Sequence, residues 1–166
     1  MSGKTIVVLA TLDTKGVEAQ YVREKIEHLG EKALVVDVGV VGQPAARADV
    51  TRQEVAEAGG MPLAKLLENP DREVAAPLMA EGATRIVEKL AEQGKVHGIL
   101  SMGGTQGTTL ATSVMRALPY GFPKVMVSFP PAREVTGICF RLSILSCIRV
   151  VAVVVSLPIE VEFMTE

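Results

Sequence analysis

The chain has 166 residues, 48% of them apolar, 4% aromatic, and a formal net charge of −2. That length supports one substantial core. The acidic balance and the scarcity of aromatics provide neither the basic footprint nor the stacking surfaces of a nucleic-acid binder, which excludes that class.

Thr5–Ala10 is a continuous apolar run rich in β-branched residues, which predicts a strand buried on both faces. It ends where Thr11-Leu-Asp-Thr-Lys-Gly16 turns polar. Val22, Ile26 and Leu29 then recur at helical spacing, and Gly30 is a natural stop. Lys32–Val38 is the second strand, with Asp37 near its carboxyl end. Strand, helix and strand together predict a parallel pair with a right-handed crossover.

The stretch 39–50 contains Gly39, Gly42 and Pro44, has no clear period and reads as a loop. Thr51 with Glu54 three residues on predicts a capping box at the start of a short helix, which Gly59-Gly60 ends. Pro62–Glu68 supplies another turn or two before Asn69-Pro70. Asp71–Gln93 is the longest expected helix, with Met79, Ala83, Ile86, Val87 and Leu90 on one stripe. Pro77 within it predicts a kink or a fresh start. His97–Met102 is the third strand. Thr108–Leu118 is the helix after it, with Leu110, Ala111, Val114, Met115 and Leu118 on one buried face. Lys124–Ser128 is the fourth strand. This alternation predicts an α/β chain with a Rossmann-like doubly wound, mostly parallel sheet.

Residues 1–128 form the expected nucleotide-binding domain, and 129–166 a divergent β-rich tail packed on it or on a neighbouring subunit. Ile138–Leu157 is mostly apolar, but Arg141 and Arg149 inside it and the Val-rich run 150–155 favour a buried strand over a membrane helix. Cys139 and Cys147 lack a metal-ligand pattern and lie far in sequence from His28 and His97, so no metal site is expected. The N-terminus lacks a secretory signal, giving a cytoplasmic expectation.

In a doubly wound sheet, ligands collect beyond the carboxyl ends of the strands. Three loops fall there. Thr11, Asp13, Thr14 and Lys15 follow the first strand, and Asp37 and Gly39 end the second. Gly103, Gly104, Thr105, Gln106, Gly107, Thr108 and Thr109 follow the third. Glycine amides at a helix start and threonine hydroxyls receive phosphate oxygens, Lys15 neutralises charge, and Asp37 can accept hydrogen bonds from ribose hydroxyls. Each has a plainer reading: Gly103-Gly104 as a tight turn, Asp13 as a helix cap, Asp37 as a solvated strand end, Lys15 as an ordinary surface lysine. Neither a Walker sequence nor a spaced Gly-x-Gly-x-x-Gly follows the first strand. No acid/base dyad stands out, and His97 lacks a partner nucleophile.

Together, Val8-Leu-Ala-Thr-Leu-Asp-Thr-Lys-Gly16, Val36-Asp-Val-Gly-Val-Val-Gly-Gln-Pro44, Met79-Ala-Glu-Gly-Ala83 and Gly98–Ser128 resemble the Tm-one-like ATP-binding domain family, which includes the plant tobamovirus-resistance protein. The resemblance spans about residues 4–128. It implies ATP as cofactor, with magnesium accompanying the nucleotide, a homodimer, and nucleotide contacts at Thr11–Lys15, Asp37–Gly39 and Gly103–Thr109. Relatives in that family continue into a second large domain where this chain diverges after Ser128. Two other readings stand beside an ATP-binding module. One is a truncated half of a two-domain enzyme acting on a phosphorylated or carboxylated small molecule. The other is a non-catalytic interaction scaffold. Whether the chain is an enzyme is left open by its residues.

Overall fold

The computed structural model describes residues 3–68 and 72–128. The tail expected over 129–166, with its two cysteines, lies outside the described residues. In chain order the elements are β1 (Thr5–Ala10), α1 (Leu12–His28), β2 (Lys32–Asp37), α2 (Arg52–Ala58), α3 (Leu63–Glu68), α4 (Arg72–Glu92), β3 (Gly98–Gly103), α5 (Thr105–Ala117) and β4 (Lys124–Ser128). The four strands form one sheet in the order β2-β1-β3-β4. Every described pairing is parallel, with Val8 opposite both Val35 and Leu100. The architecture is the expected α/β, Rossmann-like one.

Parallel strands need covering on both faces, and alternate residues of β1 divide between two cores. Val7 and Leu9 join Val36, Ile99 and Met126 beneath α4 and α5, with Met79, Val87, Val114 and Met115 contributed by those helices. Val8 and Ala10 face the other way, with Val35 and Met102, beneath Val22 and Ile26 of α1. Leu29, read as the third apolar position of α1, is 78% exposed. The helix stops at His28, so Leu29 becomes its C-cap and no longer shares the buried face, and Gly30 follows at φ +82°.

Two helices begin earlier than their periodicity suggests. The polar stretch after β1 is itself the first turn of α1, broken at Lys15, where φ is −125° and ψ 20°. The second half of the glycine stretch is the first turn of α5. Periodicity cannot register these turns, because apart from the buried Leu12 most of their side chains meet a cleft rather than the core. The helix across Pro77 runs as one element from Arg72 to Glu92. Proline at its sixth position removes a single hydrogen bond close to the N-terminal end, where the helix tolerates it best. The capping box forms as read: Thr51 Oγ1 accepts from the Glu54 amide, and Glu54 Oε2 accepts from the Thr51 amide at 2.7 Å.

The chain builds β1, steps to β2 on one side, then crosses to β3 on the other. The order therefore reverses between β1 and β3. Beyond the carboxyl ends of those two strands their outgoing chains diverge to opposite faces of the sheet, leaving a crevice.

Candidate functional site

Four pieces of chain close on that crevice. Thr11, Asp13, Thr14 and Lys15 come from the start of α1, Gly104–Gly107 from the start of α5, Val38, Val40 and Val41 from the loop after β2, and Ala76, Met79 and Leu110 from α4 and α5. The cavity they enclose is about 360 Å³, within the range of small-molecule sites. Two of the three loops singled out in the sequence thus meet in one place.

At α5 the N-cap is Gly104, with no side-chain hydrogen bond to the helix, and the Thr108 amide donates the helix's first bond to the Gly104 carbonyl at 2.8 Å. The amides of residues ahead of Thr108 belong to the turn that a helix leaves without its own acceptors, and the partial positive charge of the helix collects there. Gly103 is needed for packing, because a Cβ on it would lie 3.0 Å from the Gly107 Cα. Gly104 and Gly107 are different: among the described residues a Cβ at either would meet nothing within 4 Å, and Gly104 has an ordinary φ of −75°. Each of the other described glycines either takes a positive φ or has a neighbour within 3.4 Å of where its Cβ would stand.

Thr108 and Thr109 do not reach the cavity. Thr108 is buried, its hydroxyl 2.6 Å from Ser128 Oγ, and so ties α5 to the end of β4. Thr109 turns back to the Thr105 carbonyl. At the α1 side, Thr11 and Thr14 share a 2.8 Å hydroxyl contact, and Lys15 Nζ pairs with Glu18 at 2.6 Å.

The two aspartates hold backbone. Asp37 is 1% exposed, and its Oδ1 accepts from the Leu12 amide at 3.1 Å and the Gly39 amide at 2.9 Å. It pins the start of α1 to the end of β2 and borders a separate, smaller recess with Arg52 instead of the main cavity. Burial pushes its carboxyl above the usual carboxylate range, against the opposing pull of those two amides. Asp13 Oδ2 accepts from the Val41 and Gly42 amides at 3.1 and 3.0 Å, drawing the β2 loop over the rim, while its Oδ1 is buried without a partner. Gly39 lies between the two carboxylates. A Cβ there would stand 3.0 Å from Asp13 Oδ1 and 3.1 Å from Asp37 Oδ1, so Gly39 serves this junction rather than the cavity. His97, at the far end of β3, accepts the Thr5 amide on Nδ1 and lies outside the site.

The cavity's apolar wall was not singled out in the sequence. Met79 and Leu110 read as core, which they also are. The signal was available in Val38-Gly-Val-Val-Gly42, an apolar run inside a loop, where polar residues normally prevail. Among the described residues no cluster of three metal-ligating side chains occurs, and no helix is long and apolar enough to cross a membrane.

Comparison with known proteins identifies a different family from the one suggested by the loop motifs. Residues 4–153 match the model of the N-terminal domain of an uncharacterised protein family, UPF0261. A UPF0261 protein of Clostridium tetani is 43% identical over 125 residues, 75% of this chain and 31% of the relative. One of Brucella suis is 37% identical over 123 residues, 74% of this chain and 29% of the relative. One of Rhizobium meliloti is 38% identical over 125 residues, 75% of this chain and 30% of the relative. The chain therefore spans about a third of the length of these relatives. These matches overturn the assignment to the Tm-one-like family and, with it, the ATP-binding label. The physical reason is that a glycine-threonine turn at the carboxyl edge of a doubly wound sheet suits phosphates of many kinds and identifies no single family.

Proposed function

This chain belongs to the UPF0261 family, and we propose that it is the anion-holding part of a longer protein that acts on a small phosphorylated molecule, with the phosphate seated on the first turn of α5. The observation that carries this reading is the pair Gly104 and Gly107. Neither glycine is required by its backbone or by a neighbour among the described residues, so their missing side chains serve the space outside, and that space is the cavity at the switch point between β1 and β3. A helix start with no side-chain cap, opening on such a space, favours an anion.

Asp13 is the counter-argument, since it brings a carboxylate to the same rim. Its Oδ2 is occupied by two loop amides, which offset its charge locally. Thr14 supplies a hydroxyl at that rim, and Lys15 lines it as a cation paired with Glu18. Calorimetry on the full chain with inorganic phosphate and a hexose monophosphate tests the proposal. Saturable heat is expected from both and its loss is expected in Gly104→Asp; equal affinity in the two proteins would remove the glycine turn from the site.

A further inference from the structure

The smaller recess beside β2 has two opposite charges buried in its wall. It lies between the loop after β2 and the start of α2, has a volume of about 190 Å³, and is bordered by both Asp37 and Arg52. A single water needs about 10–15 Å³, so the space admits a small molecule. Asp37 is 1% exposed and Arg52 7%. Taking a charge out of water is costly unless a partner offsets it. These two do not offset each other: ion pairs among the described residues join Lys15 to Glu18, Arg23 to Asp49 and Arg85 to Glu81, and none joins Arg52 to Asp37.

Each charge holds backbone, but only with part of its side chain. Asp37 Oδ1 accepts from the Leu12 and Gly39 amides, and Arg52 Nη1 donates to the Gly42 carbonyl. Asp37 Oδ2 and the Nε and Nη2 of Arg52 bond no described residue. They are not shut in either, since the buried side-chain atoms without a partner among the described residues are Asp13 Oδ1 and Arg23 Nε. Each therefore keeps a face to open space, and the space that both residues border is the recess.

Such a wall selects its ligand by charge. A lone anion drawn to Arg52 would face the Asp37 carboxylate, a lone cation drawn to Asp37 would face the guanidinium, and a hydrocarbon would leave both without a partner. A molecule with a carboxylate and an ammonium on one carbon satisfies both. Its ammonium would also oppose the burial that pushes the Asp37 carboxyl up. Among the described residues that line the recess there is no third charge, and the Thr51 hydroxyl is held by Glu54.

We infer that this recess binds a small free α-amino acid as its zwitterion, the carboxylate on Arg52 and the ammonium on Asp37. The site is separate from the one proposed for phosphate and uses neither the α5 turn nor the main cavity.

NMR titration of the full chain with L-alanine, propionate and ethylamine tests it, read at the amides of Gln43 and Gln53 on the recess and of Gly104 and Gly107 on the main cavity. Alanine carries both charges and the other two carry one each. It is expected to shift Gln43 and Gln53 saturably and to bind at least about tenfold more tightly than either comparator. Arg52→Gln should weaken alanine at least about tenfold without weakening ethylamine. Asp37→Asn, whose amide oxygen can still accept from Leu12 and Gly39, should weaken alanine by about the same factor without weakening propionate. If either variant loses its fold, the three ligands on the native chain still decide. Propionate or ethylamine binding as tightly as alanine overturns the inference. So do unchanged alanine affinity in a folded Arg52→Gln, alanine shifts at Gly104 and Gly107 in place of Gln43 and Gln53, and an absence of saturable shifts with alanine.

Discussion

Replacing Gly104 by aspartate separates folding from binding. The position is the N-cap of α5, its φ is already compatible with any residue, and an added Cβ meets no atom of the described residues within 4 Å. Aspartate is a preferred N-cap, better than glycine by a few tenths of a kcal/mol, and its charge at the positive end of the helix adds about 0.3–1 kcal/mol. The variant should therefore be more stable, with Tm raised by about 1–4 °C for a chain of this size. The same carboxylate stands where the phosphate is proposed to sit. At about 4–6 Å and an effective dielectric of about 20, the repulsion between two unit charges is about 3–4 kcal/mol, which corresponds to at least about a hundredfold loss of phosphate affinity. Differential scanning fluorimetry and calorimetry on the same preparation read both effects. Gly107→Ala extends the test. It removes a helix-interior glycine worth about 1 kcal/mol in propensity and places a methyl group in the cavity. A drop in Tm for Gly104→Asp, or unchanged phosphate affinity in it, would refute the reasoning.

Elsewhere, Gly82→Ala should cost about 3 kcal/mol in chemical denaturation, because its Cβ would fall 1.9 Å from the Val55 carbonyl oxygen where α2 crosses α4. Lys124 is buried, with Nζ donating to the Leu118 carbonyl at 2.8 Å, and burial holds its pKa below 10.5. Between its folded value and 10.5 the unfolded chain binds more protons, so this lysine makes stability rise with pH across that window. Lys124→Met should flatten the rise, seen as the difference between the two proteins' urea midpoints from neutral pH to pH ~10. Asp13→Asn should lower the pKa of Asp37, since the Asp13 charge is one of the causes raising it. It should also keep the Val41 and Gly42 contacts through the amide oxygen; carboxyl titration by NMR checks the first, and an unmoved Asp37 would contradict it.

The sheet was legible because its signals are physical necessities. Strands buried on two faces must be apolar throughout, as in Thr5–Ala10, and helices on such a sheet must carry a stripe, as in Met79, Ala83 and Val87. The glycine turn was legible for the same reason. What the residues did not disclose was how the loops divide their work. Asp37 and Asp13 look alike as acidic residues at strand ends, yet Asp37 is shut in by the amides of Leu12 and Gly39 and only Asp13 borders the cavity. That difference depends on the path of residues 39–50, which has no period to read. The return of this loop is held by pairing of Val36 with Val50, and by Asp49, which accepts from the Val35 amide and Arg23. No local pattern announces contacts made across twelve or more residues.

The capped start of α2 and the uncapped start of α5 together show that the glycines of α5 are not a default. At α2 the chain places Thr51 and Glu54 and closes both hydrogen bonds of a capping box. At α5 it places Gly104, forms no side-chain cap, and follows with Gly107 inside the first turn. Each choice is less favourable than an available alternative by a few tenths to about 1 kcal/mol, and the start of α5 borders the cavity at the switch point whereas that of α2 does not. The start of α1, which borders the same cavity, likewise has an N-cap, Thr11, that forms no side-chain bond to its helix, and local weakness gathered at helix starts on the cavity is what a binding role for these turns produces. Stabilising substitutions there should accordingly be easy to make and harmful to binding, whereas substitutions of the same kind at the outer ends of α1 or α4 should be harmless.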